Sequence, residues 1–324
     1  MQNFLKTFNP TFNYYKMKNK TLFNSLFLTF SLIGSFFVLD KPLKAEDAVV
    51  CPDTSSTTIT SVYDEEDPSS FFALTGGYGD DSESGSGFCR GTPTEYGVTV
   101  FKMGFCKKNP GNPTGSTILE GLKPDYSSCT WAFENTDGEP ADFGAGGSVD
   151  LSEVASSEPA AGVYPHAVML ISKDFRIKGK YGPIGGKTFY TTETFEESTT
   201  DITKWKTVKA PLNSFSGPTE CTATTEKNVV VGGTISAYLL DTSGTMLVSD
   251  STEGTGSPCT GQEYLLGVMN MSSDLTISET TKGLEMTFLV TNNGMSVMAK
   301  NNPGSPPTEL IMDSGPFSVT FETF

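Results

Sequence analysis

The sequence predicts an all-β protein, a disulfide-stapled antiparallel β-sandwich or a pair of them, and three observations carry that expectation. Short runs of alternating apolar residues recur between turn residues, as in strands with one or both faces buried. Ser, Thr and Gly are abundant, with 33 Gly, while runs of Ala, Leu, Glu and Lys suited to helices are nearly absent. Six cysteines (Cys51, Cys89, Cys106, Cys129, Cys221, Cys259) include no C-x-x-C pair and are accompanied by a single histidine. That set supports zinc or iron–sulfur ligation poorly and reads as oxidised pairs. The pairing that keeps every loop local is Cys51–Cys89, Cys106–Cys129 and Cys221–Cys259.

Export fits the N-terminus. Lys18 and Lys20 form a basic start after Met17, Leu22 to Leu39 is mostly apolar, and Leu43-Lys44-Ala45 supplies a small residue for cleavage. Residues 17–45 therefore read as a signal peptide, with a membrane anchor as the alternative, and residues 1–16 as a spurious or unstructured leader. Val50 stands where a lipid-anchored cysteine would need a small residue. Removing the six Lys and one Asp of residues 1–45 from the 22 basic and 38 acidic residues leaves 16 and 37, a net charge of −21. Such a surface repels nucleic acid and anionic membranes.

Strands follow in chain order. Glu95–Phe105 and Val163–Ile171 are apolar on both faces, as strands inside a sheet covered on both sides are. Phe175–Tyr181 is expected after a Ser-Lys-Asp turn, and a short helix around Ser198–Lys206. Val229–Val231, Ile235–Leu240, Met246–Val248, Tyr264–Met271 and Leu284–Val290 continue the series. Asn292-Asn293-Gly294 predicts a hairpin from Leu284–Val290 into Met295–Ala299. Leu310–Met312 and Phe317–Phe324 close the chain. Loops are expected at Gly76–Gly87, Lys107–Gly115 and Asn301–Pro307, where glycine, proline and acidic residues collect. Pro211–Glu220 reads as a linker between a β-sandwich domain of residues 46–210 and residues 221–324, which form either a second β domain or strands completing the first.

Ala160-Ala161-Gly162-Val163-Tyr164, followed by an apolar strand, resembles the strand entry of secreted prealbumin-like and immunoglobulin-like β-sandwich modules. Thr92–Phe105 and Ser148–Ser152 are similar to earlier strands of such modules, so the resemblance spans residues 92–181. It implies a sandwich and export. It implies no reaction, and no functional residue carries over.

Catalytic motifs are sparse. His166 has Tyr164 and Val168 as its neighbours on one strand face, neither a nucleophile nor an orienting group, so it reads as a sheet residue. No G-x-S-x-G or S-x-x-K exists, and one histidine rules out H-E-x-x-H. Asp241-Thr242-Ser243-Gly244 and Asp313-Ser314-Gly315 resemble aspartic-protease loops, whose two carboxylates share a proton. The first carries an extra residue, Pro316 replaces a needed hydroxyl in the second, and both suit turns. No catalytic residue is therefore assigned. Asp80, Asp81 and Glu83 form an oxygen-rich loop that a calcium ion could use, as do Asn135–Glu139, although neither has EF-hand spacing. Calcium is the one cofactor the sequence suggests. Trp131, beside Cys129, reads as core; Trp205, between Lys204 and Lys206, is the candidate sugar-stacking residue. The Thr/Ser-rich arm Val49–Tyr63 and the terminal strand, with Phe317, Val319 and Phe321, are candidates for assembly by strand addition.

The expectation is a secreted or cell-surface, non-enzymatic structural or adhesive protein, acting as a self-assembling filament or surface subunit. Its partners would be other copies or an extracellular ligand, with no nucleic acid and no membrane span once the signal is removed. A carbohydrate-binding module is the alternative, and an acidic-residue hydrolase built on Asp241 and Asp313 the third reading.

Overall fold

Sixteen strands and a single turn of 3-10 helix make up the regular structure of residues 50–55, 59, 88–144, 159–215, 220–230, 232–250, 257–281, 284–299 and 307–323, which the computed structural model describes. The described strands are β1 (Phe88–Gly91), β2 (Glu95–Cys106), β3 (Cys129–Asp142), β4 (Gly162–Ser172), β5 (Asp174–Lys178), β6 (Lys180–Ile184), β7 (Lys187–Thr191) and β8 (Ser198–Thr199). Then come β9 (Val208–Pro211), β10 (Thr224–Val230), β11 (Gly233–Asp241), β12 (Gln262–Ile277), β13 (Leu284–Leu289), β14 (Met295–Ala299), β15 (Leu310–Ser314) and β16 (Ser318–Thr323). All their ladders are antiparallel.

The largest sheet has eight strands in the order β10-β11-β12-β4-β2-β5-β9, with β3 also on β2. Strands from both sides of residues 211–220 thus share one sheet, so β10–β12 complete the layer begun by β2, β4 and β5. Three smaller sheets are β1-β14-β15, β6-β7-β8 and the pair β13-β16. Tyr96, Val98 and Val100 of β2, Phe175 and Ile177 of β5, Met295, Val297 and Ala299 of β14 and Leu310 and Met312 of β15 form one buried cluster. The three-stranded sheet is held to the large one through it. Phe105, Ala167, Met269 and Leu275 build a second cluster, and Val168, Tyr238, Leu240 and Leu266 a third. Ala167 and Val168, adjacent on β4, enter different clusters, as expected of a strand buried on both faces.

The three disulfides join the expected pairs: Cys51–Cys89, Cys106–Cys129 and Cys221–Cys259. Trp131 packs beside the second, edge-on to Tyr126 at 5.3 Å.

Three local expectations are corrected. Ser172-Lys173-Asp174 is no turn: β4 and β5 both run antiparallel to β2, pairing Ile171 with Val100 and Arg176 with Gly97. The chain only kinks at Lys173, where its outer neighbour changes from β12 to β9. The helix at Ser198–Lys206 is reduced to Ile202–Lys204, capped by the Asp201 carboxylate accepting the Thr203 N–H at 3.0 Å. β-branched Thr199, Thr200, Ile202 and Thr203 disfavour a helix, and Ser198 and Thr199 pair with β7 instead. Asn292-Asn293-Gly294 does reverse the chain, with Asn292 at φ 55° and the Gly294 N–H on Val290 O at 2.8 Å. No hairpin results, because β13 pairs with β16 while β14 pairs with β1 and β15. In addition, Met246–Val248 contributes only a bridge between Met246 and Leu240.

Candidate functional site

Phe317, Val319 and Phe321 all turn toward the protein body. Phe317 lies edge-on to Tyr96 at 6.0 Å, Phe321 edge-on to Phe105 at 5.6 Å, and Val319 is 7% exposed. These side chains anchor β16, and what they leave unpaired is backbone: among the described strands, β13 and β16 pair only with each other. Leu289 on β13 is one of the exposed large apolar residues, whereas its neighbour Phe288 stacks on Phe143 at 3.8 Å.

Both edges of the β1-β14-β15 sheet are covered. Val50 bridges Arg90 of β1 in parallel, the Cys51 N–H donates to Arg90 O at 2.8 Å, and the Cys51–Cys89 bond ties the arm there. Tyr181 donates its hydroxyl hydrogen to Pro52 O at 3.0 Å, and Ile59 is fully buried. On the far side of that sheet, the Ser198 hydroxyl accepts the Leu310 N–H at 2.8 Å. Edges so occupied cannot template another chain.

Asp241 and Asp313 sit in different sheets and share no hydrogen bond. Asp241 accepts the Ser243 N–H and Oγ–H and the Thr245 N–H at 2.7–2.9 Å, a closed turn. Donation from Thr245 and Ser243 holds its carboxyl below the usual range. Asp313 is opposite in character: burial pushes its carboxyl up and Glu196 adds to the rise, against donation from Ser314 and the charge of Arg90. Arg90, Ser296 and Asp313 are in register across β1, β14 and β15, and Arg90 donates to the Ser296 hydroxyl.

His166 is half-buried on β4 opposite Cys106 and Asn270, its Nδ1 without a partner among the described residues. Burial lowers its pKa below the usual 6.5, only partly offset by Asp274. Unfolding then binds a proton that the folded state resists, so this group costs stability as pH falls below 6.5 until the folded pKa is passed. As the only histidine, it can be isolated. Chemical denaturation should show stability falling between pH 7 and 5, and His166→Gln should flatten that slope; an unchanged slope would refute the assignment.

Trp205 gathers the most distinctive surface. Its indole lies 5.4 Å from the Tyr190 ring, with the Lys178 and Lys180 ammonium groups 5.2 and 5.9 Å from its centroid. Each such cation–π contact is worth about 0.5–1 kcal/mol at a partly exposed site. Lys178 also pairs with Glu95 at 3.0 Å, whose other oxygen accepts from Thr207 at 2.7 Å. Those partners depress the Glu95 carboxyl, the Thr207 hydroxyl most, against a burial penalty. Beneath lies Thr191, 1% exposed, donating its hydroxyl hydrogen to Lys206 O at 2.6 Å and accepting the Gly179 N–H at 3.2 Å. Thr191 thereby fixes both chain segments that carry the lysines and the indole.

No protein-family profile, no curated protein and no solved structure matches this chain.

Asp80, Asp81 and Glu83 lie outside the described residues, among which no group of three His, Cys, Asp or Glu is placed to hold a metal ion. Asn135–Gly138 form a bulge in β3 between the pairs Lys102–Glu134 and Val100–Glu139, with Asn135 Oδ1 accepting the Asp137 N–H at 3.0 Å. Among the described residues no helix is long and apolar enough to cross a membrane. Lys178, Lys180 and Tyr190 escape sequence reasoning focused on Trp205 alone. The signal is present nonetheless: eight of the 16 basic residues after position 45 fall between 173 and 209.

Proposed function

We propose that the protein is an exported structural or adhesive subunit, a β-sandwich of prealbumin-like or immunoglobulin-like kind, that self-associates by strand addition at the β13–β16 edge. The observation that carries this reading is the isolation of that pair, the one two-stranded sheet among the described strands, with an exposed apolar residue on it. The β1 edge is taken by the N-terminal arm and the β15 edge by Ser198, while β13 and β16 have no further partner among the described strands. Leu289 adds an apolar residue to the open strand, and an unpaired edge with apolar side chains is a template for another chain. Three disulfides support folding in an oxidising compartment. The acidic surface keeps such a subunit soluble before assembly.

Light scattering and negative-stain microscopy of the purified protein test this directly. Concentration-dependent oligomers or filaments are expected, and Leu289→Lys, which places a charge on the edge strand, should leave the protein monomeric with its melting temperature unchanged. A wild-type protein that stays monomeric at high concentration, or a Leu289→Lys variant that assembles equally well, overturns the proposal.

A further inference from the structure

We infer that the Lys178–Lys180–Trp205 surface is a binding site for an acidic polysaccharide, one whose sugars carry carboxylate groups. This goes beyond self-association and does not depend on it. The chain is strongly acidic, with a net charge of −16, yet half of the basic residues after position 45 converge on one 37-residue segment. Within it, Lys173 and Lys209 share the single carboxylate of Asp174, and Lys178 pairs with Glu95. Lys180 and Lys206 are exposed and form no ion pair among the described residues.

A cation left unpaired in so acidic a molecule is available to an anion, and Lys180 stands over the Trp205 ring. The Trp205 Nε1–H adds a buried donor with no acceptor among the described residues. An indole backed by Tyr190 offers the apolar platform on which a sugar ring stacks, while the ammonium beside it meets a carboxylate. The cation–π contacts are weak enough to yield to a charge-assisted hydrogen bond. An acidic protein segment could satisfy the lysines but has no need of the indole. The ring and the cation together favour a charged sugar. Thr191 and Glu95 hold the lysine strand and the Trp205 segment in place before any ligand arrives, so little ordering is needed on binding.

The test is a titration with oligogalacturonate at low salt, read by calorimetry and by tryptophan fluorescence. Neutral dextran and poly-L-glutamate serve as comparison ligands. Saturable oligogalacturonate binding is expected, weakening as salt is added. Lys180→Glu and Trp205→Ala should each weaken it about tenfold or more, as loss of one charge-assisted or stacking contact implies. Lys108→Glu, an exposed charge reversal elsewhere with the same effect on net charge, should leave it unchanged. Thermal melts of the variants establish that each is folded. No saturable binding, equal loss in Lys108→Glu and Lys180→Glu, or equal affinity for poly-L-glutamate would each overturn the inference. These outcomes can be read on a monomer or an assembly, so they are separable from the fate of the β13–β16 proposal.

Discussion

Full reduction of the three disulfides is expected to unfold the protein at neutral pH and room temperature. The cross-links span sequence separations of 38, 23 and 38 residues, and their loops neither overlap nor nest. In the chain-entropy treatment each therefore constrains the unfolded state independently, by about 3–4 kcal/mol. Their sum, about 11 kcal/mol, is comparable with the whole 5–15 kcal/mol stability of a typical domain. Breaking Cys106–Cys129 alone, as in a Cys106→Ser/Cys129→Ser double variant, should cost about 3 kcal/mol and leave a folded protein. The Cys51–Cys89 bond has a second consequence, because it ties the arm that occupies the β1 edge. Its loss should free a second site for strand addition and increase association. Circular dichroism with and without reductant decides the main point. A protein that keeps its β spectrum and its melting temperature when all six thiols are free would remove the need for an oxidising compartment, and with it a principal support for export.

Legibility from sequence followed the physics of each element. β2, β4, β11, β12, β14, β15 and β16 were readable because burial on one or two faces writes period-two or continuous apolar patterns. β3 was not readable, since Asn135–Gly138 interrupt it with residues that ordinarily mark a turn. The register shows why: the segment bulges outward opposite Phe101, while Phe133 and Ala141 on either side are buried. The Asn292–Gly294 turn was visible, but sequence says only that the chain reverses, not that β13 and β14 then part to different sheets. Pairing of β1 with β14 joins residues some 200 positions apart, and nothing local encodes it. The disulfides were legible for the opposite reason, because each closes a local loop. Within the candidate site, Trp205 stood out as a rare residue between two lysines. Lys178 and Lys180 did not, because β5 and β6 bring them over the ring from about 25 positions upstream.

Tyr96→Ala is expected to be the most damaging single substitution in the core, costing about 3–5 kcal/mol, the range for deleting a large buried aromatic. Tyr96 is fully buried at the junction of three parts of the fold. Its ring packs against Phe175 of β5 at 5.9 Å and Phe317 at 6.0 Å, and its hydroxyl donates to Gly315 O at 2.9 Å. Its backbone N–H donates to the Asp142 carboxylate at 3.0 Å and its carbonyl accepts the Phe143 N–H at 2.7 Å, securing the end of β3. Burial raises the phenol pKa far above its usual value, so the hydroxyl stays a donor at every accessible pH. Tyr96→Phe separates packing from hydrogen bonding. It keeps both aromatic contacts and removes only the donor, leaving the Gly315 carbonyl without its partner, for about 1–3 kcal/mol. At roughly 2–4 °C per kcal/mol for a chain of this size, the two variants should be resolved from each other in a thermal melt. The turn from β15 into β16 is pinned by the same ring and hydroxyl, so Tyr96→Ala should also loosen β16 and raise hydrogen exchange in Ser318–Thr323 more than in β4. If both variants melt with the wild type, or if exchange rises equally in β4 and β16, Tyr96 does not hold the terminal strand to the body. The edge proposed for assembly would then have no rigid support.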